Sequence, residues 1–187
     1  MRMLGISGSL RRDSLNSALL RAAAGRLPAG AELVEFGRLA DVPPYDEDVE
    51  RSGPAPESVR ELREAIRAAE AVLIATPEYN HSIPGQLKNA LDWASRPAGN
   101  SALSGKPTAA IGASKSMFGG VWAQAELRKV LAAMGGRVLE SELAVARAHE
   151  RLAGDRLELD PEQSERLDGI LAELVEAAEI EAGLLVA

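Results

Sequence analysis

Short apolar runs along the chain alternate with segments whose apolar residues recur every three to four positions. "RMLGIS" (2–7) is the first run. It leads into "SLNSALLRAAAGRL" (14–27), where Leu15, Leu19, Ala22 and Ala23 share one helical face. "AELVEF" (31–36) reads as a second strand. The "DVPPYDED" and "SGPAPE" stretches that follow carry prolines and acids unsuited to regular structure. In "ESVRELREAIRAAE" (57–70), Val59, Leu62, Ile66 and Ala69 fall at helical spacing.

"AVLIAT" (71–76) is the most apolar run, as expected for a central strand covered on both faces. "PGQLKNALDWAS" (84–95) predicts a helix with Pro84 near its first turn. "PTAAIGAS" (107–114) is a fourth strand of small residues. "VWAQAELRKVLAAM" (121–134) is a helix closed by Gly135 and Gly136. "RVLESELAVA" (137–146) is a fifth strand. The last helix starts with Asp160 as cap and Pro161 in the first turn, and Leu167, Ile170, Leu171, Leu174 and Ala178 form its stripe.

Strand and helix thus alternate five times, which predicts a doubly wound parallel α/β sheet in one domain over residues 1–187. Ligands of such sheets sit beyond the carboxyl ends of the strands, where the strand order switches. The segments to inspect are therefore 8–17, 76–84 and 112–120.

The first, inside "GISGSLRRDSLN", joins a strand to a helix with a high density of small donors and positive charge. A helix beginning near Ser14 turns free N–H groups and its positive dipole end toward the loop. Ser9, Ser14, Asn16 and Ser17 add side-chain donors, and Arg11 or Arg12 a full charge. Either Ser14 or Asp13 merely caps the helix, or the corner holds an anion, and its place after the leading strand favours a phosphate. The dinucleotide pattern G-x-G-x-x-G is absent here. "GNSALSGKPT" (99–108) imitates a mononucleotide loop, but its glycine spacing is one residue too long and Pro107 takes the hydroxyl position. "SGKP" reads instead as a turn, with Lys106 in solvent.

In "TPEYNHSIPGQLKNALDW", Pro77 and Pro84 stiffen a loop in which either Tyr79 and Asn80 face a planar ligand, or Tyr79 packs under the loop and Asn80 makes a turn. In "GASKSMFGGVWAQAELRKVL", Ser114 and Ser116 offer hydroxyls, and Gly119 and Gly120 allow close backbone approach. His81 and His149 have no partner at ligand spacing, so no metal site is expected.

Composition narrows the chemistry. The chain has 187 residues, 46% of them apolar and 26% charged, and a net charge of −7. This acidic balance argues against general affinity for nucleic acid or anionic membrane. There is no cysteine, which removes disulfides, thiolate nucleophiles and zinc–thiolate sites. No apolar run reaches the ~18 residues of a spanning helix, and "MRMLGIS" is too short for a signal peptide, so a cytoplasmic protein is expected. With no cysteine and no histidine at ligand spacing, the side chains offer little covalent or metal catalysis of their own.

"GSLRRDSLN", "VPPYDED", "TPEYNHSIPGQLKNALDW" and "FGGVWAQAELRKVL" occur in the order and spacing of a known family. Through the first two-thirds of its length, the chain resembles the NADPH-dependent FMN reductases of the flavodoxin-like superfamily, which include bacterial quinone, chromate and azo reductases. The resemblance implies a three-layer sandwich with a five-stranded parallel sheet in the order 2-1-3-4-5. It implies that Ser9, Arg11, Ser14, Asn16 and Ser17 hold the FMN phosphate. Pro77, Glu78, Tyr79 and Asn80 would line the isoalloxazine and ribityl side, with Ser114 near the flavin edge. Tyr45 and Asp46 would approach the flavin of a neighbouring subunit in a homodimer or homotetramer. His81 stands where an aromatic is common and Lys115 in a stretch usually small and polar.

The expected activity is ping-pong hydride transfer from NADPH or NADH by way of FMN to quinones or similar small acceptors, flavin, azo compounds and chromate among them. A flavodoxin-like electron carrier and a non-catalytic flavin-binding protein are the competing readings. Arg11 counts against the carrier, because flavodoxin phosphate loops rely on hydroxyls and backbone donors.

Overall fold

A computed structural model describes residues 1–184. Its sheet is parallel, in the order β2-β1-β3-β4-β5, with a short β6 also paired to β4. The strands are β1 (Arg2–Ser7), β2 (Glu32–Glu35), β3 (Ala71–Ala75), β4 (Pro107–Ala113), β5 (Arg137–Val138) and β6 (Leu143–Val145). Every residue of β3 and β4 is buried, which explains their unbroken apolar runs: both faces of the sheet are covered.

The helices that cover it are α1 (Leu15–Ala24), α3 (Glu57–Ala68), α4 (Gly85–Ala94), α5 (Val121–Ala133) and α6 (Pro161–Leu184), with a six-residue α2 (Glu47–Ser52) on the surface. One core packs Val59, Leu62 and Ile66 of α3, Leu87 and Leu91 of α4, and Leu127 and Leu131 of α5 on Leu4, Ile6, Val72 and Ile74. The other packs Leu19 and Ala23 of α1 with the expected α6 stripe of Leu167, Ile170, Leu171, Leu174 and Ala178 on Met3, Leu73, Ile111 and Ala113. Alternate residues of one strand thus feed opposite cores, as the period of two demands.

Four local expectations need correcting. The fifth strand is two short pieces: Leu139 N–H still reaches the Thr108 carbonyl, but Glu140, Ser141 and Glu142 leave the sheet edge. There Glu142 pairs with Arg128 at 2.8 Å, and the Ser141 hydroxyl meets the Glu173 carboxylate at 2.9 Å. The acidic stretch read as irregular contains α2, which buries no residue. Asp46 caps it by accepting from the Asp48 N–H, and a Glu47–Arg51 pair one turn apart supports it.

On α1 the buried face is rotated from the apolar pattern: Asn16, Leu19, Leu20 and Ala23 are buried, while Leu15 and Ala22 are only partly covered. Lys106 is not free in solvent, since its ammonium donates to the Ala69 and Arg67 carbonyls at the end of α3. A hairpin of β7 (Leu152–Ala153) and β8 (Arg156–Leu157), too short to show as a pattern, buries Leu157 beneath it.

Candidate active site

The three inspected loops meet at the carboxyl ends of β1, β3 and β4, where the chain crosses from the β2 side of β1 to β3. Ser14 is the N-cap of α1, its hydroxyl oxygen accepting from the Ser17 N–H at 3.1 Å. The Ser14 hydroxyl also lies 3.5 Å from the Ser7 hydroxyl, and either of the two can donate. The first-turn amides of Leu15 and Asn16 have no partner among the described residues. Ser9 Oγ accepts weakly from the Arg11 N–H at 3.4 Å, and the exposed Arg11 guanidinium makes no ion pair among the described residues. Hydroxyls, orphan amides and a free cation therefore share one corner.

Gly8 lets this loop come close to the next one. A Cβ there would stand 2.9 Å from Leu87 Cδ2 and 3.3 Å from Pro77 Cδ. Beyond Pro77, Tyr79 and Ser82 exchange two backbone hydrogen bonds of 3.0 Å across a two-residue turn. Its central residues, Asn80 and His81, have φ of +52° and +61°, the left-handed pair that a tight hairpin requires. Left-handed backbone is costly for residues other than glycine, so the turn is held in place by its surroundings.

Glu78 supplies part of that hold. Its side chain is 11% exposed, and Oε2 accepts from the Trp122 and Ala123 N–H groups at 3.0 and 3.1 Å. These are first-turn amides of α5, whose own N-cap, Gly120, has no side chain to offer. In the third loop, Ser114 N–H reaches the Val145 carbonyl, and its hydroxyl meets Ser116 at 3.1 Å. Gly119, at φ +63°, crosses so near β6 that a Cβ would lie 2.6 Å from the Ala144 carbonyl carbon.

Between the loops lies a cavity of about 210 Å³ lined by Ser9, Arg11, Ser14, Leu15, Asn16, Pro77, Glu78, Tyr79, Ala113, Ser114 and Lys115. Of the residues named from sequence, Ser17 and Asn80 lie outside this lining, Ser17 one turn into α1 and Asn80 at the hairpin tip. Asn16 has a second task. Its amide donates to the Ala113 carbonyl at 3.0 Å and accepts from the Ala113 N–H at 2.9 Å, tying α1 to the end of β4. One amide hydrogen is left over.

Tyr45 and Asp46 do not line the cavity. Asn89 accepts the Tyr45 N–H at 2.7 Å and gives its own amide to the Pro43 carbonyl, which also takes the Trp93 indole N–H. Gln86 donates to the Leu39 and Val42 carbonyls. One face of α4 thus fastens the whole "VPPY" segment. The Tyr45 hydroxyl donates to Glu50 at 2.6 Å, and that bond raises the phenol above its ordinary range, with burial adding to the shift. Gln86, Asn89 and Trp93 were not singled out from the sequence. Their spacing of three and four residues on one helix was the available signal.

Comparison with known proteins now adds to this geometry. Residues 1–150 match the family model described as NADPH-dependent FMN reductase. The chain belongs to this family. An NAD(P)H-dependent FMN reductase of Pseudomonas aeruginosa is 51% identical over 131 residues, 70% of this chain and 69% of that protein. A quinone reductase of Escherichia coli is 39% identical over 139 residues, 74% and 73% of the two chains. The solved flavoenzyme NAD(P)H:(acceptor) oxidoreductase of Paracoccus denitrificans superposes with a TM-score of 0.84. It is 36% identical, and the match covers 95% of this chain and 97% of that one.

As a member of the FMN reductase family, the chain is an NAD(P)H-dependent flavin oxidoreductase, with FMN as cofactor and NAD(P)H as donor. The donor set suits a phosphate ester: three hydroxyls, two orphan amides and an unpaired guanidinium answer an anion. Glu78, the carboxylate of the lining, is turned onto the α5 amides. Among the described residues, no helix is long and apolar enough to cross a membrane.

Proposed function

We propose that the chain is an NAD(P)H:quinone oxidoreductase that holds FMN at the corner between β1 and α1. In the net reaction NAD(P)H, one proton and a quinone give NAD(P)⁺ and the hydroquinone, so two electrons and two hydrogens balance. FMN, when bound, supplies the capacity to accept a hydride and release it. Ser9, Ser14, Ser17 and Arg11 hold the phosphate, helped by the free amides of Leu15 and Asn16 and the spare hydrogen of the Asn16 amide. Pro77, Glu78, Tyr79 and Asn80 would line the isoalloxazine and ribityl side, with Ser114 near the flavin edge. The carrying observation is the convergence of hydroxyls, orphan amides and an unpaired guanidinium in one cavity, whose carboxylate, Glu78, holds two amides of α5. Relatives named quinone reductase support the acceptor class.

In the proposed homodimer or homotetramer, the segment fastened to α4 presents Tyr45 and Asp46 to the site of another copy. Sedimentation of the purified protein tests the assembly. Cytoplasmic placement, beside the nicotinamide nucleotide pool, completes the reading.

FMN titration of the purified protein, followed by NADPH oxidation with 1,4-naphthoquinone, tests the function. Arg11→Ala should weaken FMN about tenfold or more, since a charge-assisted bond contributes roughly 1.5–3 kcal/mol and this one is open to water. Protein that binds no FMN and oxidises no NADPH would end the proposal.

A further inference from the structure

The chain contains two Phe, two Trp and two Tyr residues. Three of these six are strongly exposed, Tyr79 at 52%, Phe118 at 57% and Trp122 at 40%, and all three border the cavity loops. Met117, at 69%, stands beside them. Phe118 packs edge-on to Trp122 at 4.9 Å, and the His81 ring also meets Trp122, at 4.6 Å and 89°. His81, Trp122 and Phe118 therefore form a row of rings open to solvent. Glu78 joins the row to the cavity: one carboxylate oxygen holds the Trp122 N–H, while the residue itself lines the cavity wall.

Exposed apolar groups gathered at one place mark a surface built for contact. The reaction also needs two organic molecules at one site. A pocket that encloses a drug-sized ligand measures about 300–1,000 Å³, and this cavity, at about 210 Å³, cannot enclose two. A second planar molecule extends beyond this lining, which Tyr79 and Glu78 share with the loops that carry the rings. The lining carries two cations, Arg11 and Lys115, against the one carboxylate of Glu78, a balance that suits a neutral or anionic molecule over a cationic one.

We infer that the His81–Trp122–Phe118 row is the acceptor platform and selects planar aromatic quinones by ring contact. This rests on the oxidoreductase function proposed above. Trp122 and Phe118 supply apolar ring surface, and His81, on its strained turn, fixes the indole.

The test uses FMN-loaded protein with two acceptors, 1,4-naphthoquinone and ferricyanide, the latter offering no ring to stack. Trp122→Ala should raise the ratio of the naphthoquinone KM to the ferricyanide KM about tenfold, the size of a lost aromatic contact plus its buried area. Trp122→Phe should restore most of the difference. Without NAD(P)H, naphthoquinone should quench tryptophan emission saturably in the wild type and not in Trp122→Phe, whose remaining tryptophan, Trp93, is buried. An unchanged KM ratio or unsaturable quenching overturns the platform. So does a smaller assembly in sedimentation of Trp122→Ala, which would make the row a contact between copies. Wild-type protein inert toward both acceptors would defeat the proposed function instead, and the quenching titration would still decide whether the rings hold a quinone.

Discussion

Asn16→Ala removes two hydrogen bonds at once, the amide N–H given to the Ala113 carbonyl at 3.0 Å and the Ala113 N–H accepted at 2.9 Å. Both residues are interior, Asn16 at 2% and Ala113 at 1% exposure. Alanine replaces neither bond, so Ala113 keeps an unpaired donor and an unpaired acceptor. Each buried orphan costs roughly 1–3 kcal/mol, or about 2–6 kcal/mol for the two. The adjoining cavity admits water, which recovers part of the loss and leaves an expected destabilisation of about 2–4 kcal/mol. For a chain of this length, that lowers Tm by roughly 4–16 °C.

The assay is urea and thermal unfolding of flavin-free protein, with Arg11→Ala as the comparison. Arg11 is exposed and unpaired, so its removal should leave the unfolding midpoint where it was while weakening FMN. Asn16→Ala should lose stability first, and FMN affinity as the end of β4 shifts. If Asn16→Ala unfolded within about 0.5 kcal/mol of wild type yet lost FMN, the tie to Ala113 would carry no load and the amide would be a ligand donor instead.

Other substitutions probe the same architecture. Glu78→Ala strips the cap from α5 and should cost about 0.5–2 kcal/mol in thermal unfolding, with Glu78→Gln recovering part of it through a neutral acceptor. Asn89→Ala frees the Tyr45 N–H and leaves the Pro43 carbonyl to the Trp93 indole alone; amide exchange at Tyr45 should quicken while exchange in β3 and β4 stays slow. Asp168 is held below the usual carboxylate range, first by its hydrogen bond from Arg26 and then by the charge of that guanidinium. A depressed folded pKa stabilises above the unfolded value and is lost as pH falls through the lower one. The stability gap between wild type and Asp168→Asn should therefore hold above the ordinary carboxylate value of about 4 and shrink as pH falls below it. Because a third to a half of the pair is exposed, the gap should be less than about 1 kcal/mol.

The fold was legible because its information is local: the apolar period within each segment names the element, and five alternations leave few topologies. What the pattern hid were polar residues whose partners lie far along the chain. Asn16 and Ala113 are 97 positions apart, and Asn89 and Tyr45 are 44 apart. No window of either sequence shows the partner. The same blindness shaped the site. A polar residue near the strand ends reads as a ligand donor, yet Asn16 and Glu78 hold backbone of other segments.

That expenditure is what makes the remaining groups usable. Glu78 lines an anion site, and there the α5 amides of Trp122 and Ala123 take up one of its carboxylate oxygens, because α5 lacks a cap of its own. The two segments that most resemble the family, "VPPYDED" and "GQLKNALDW", are partners in one hydrogen-bonded unit, with Gln86, Asn89 and Trp93 donating to the carbonyls of Leu39, Val42 and Pro43. A motif of this kind records the fastening of loops as much as contact with a ligand. Ser9, Arg11 and Tyr79 are the better guides to chemistry, because their side-chain donors have no competing partner among the described residues.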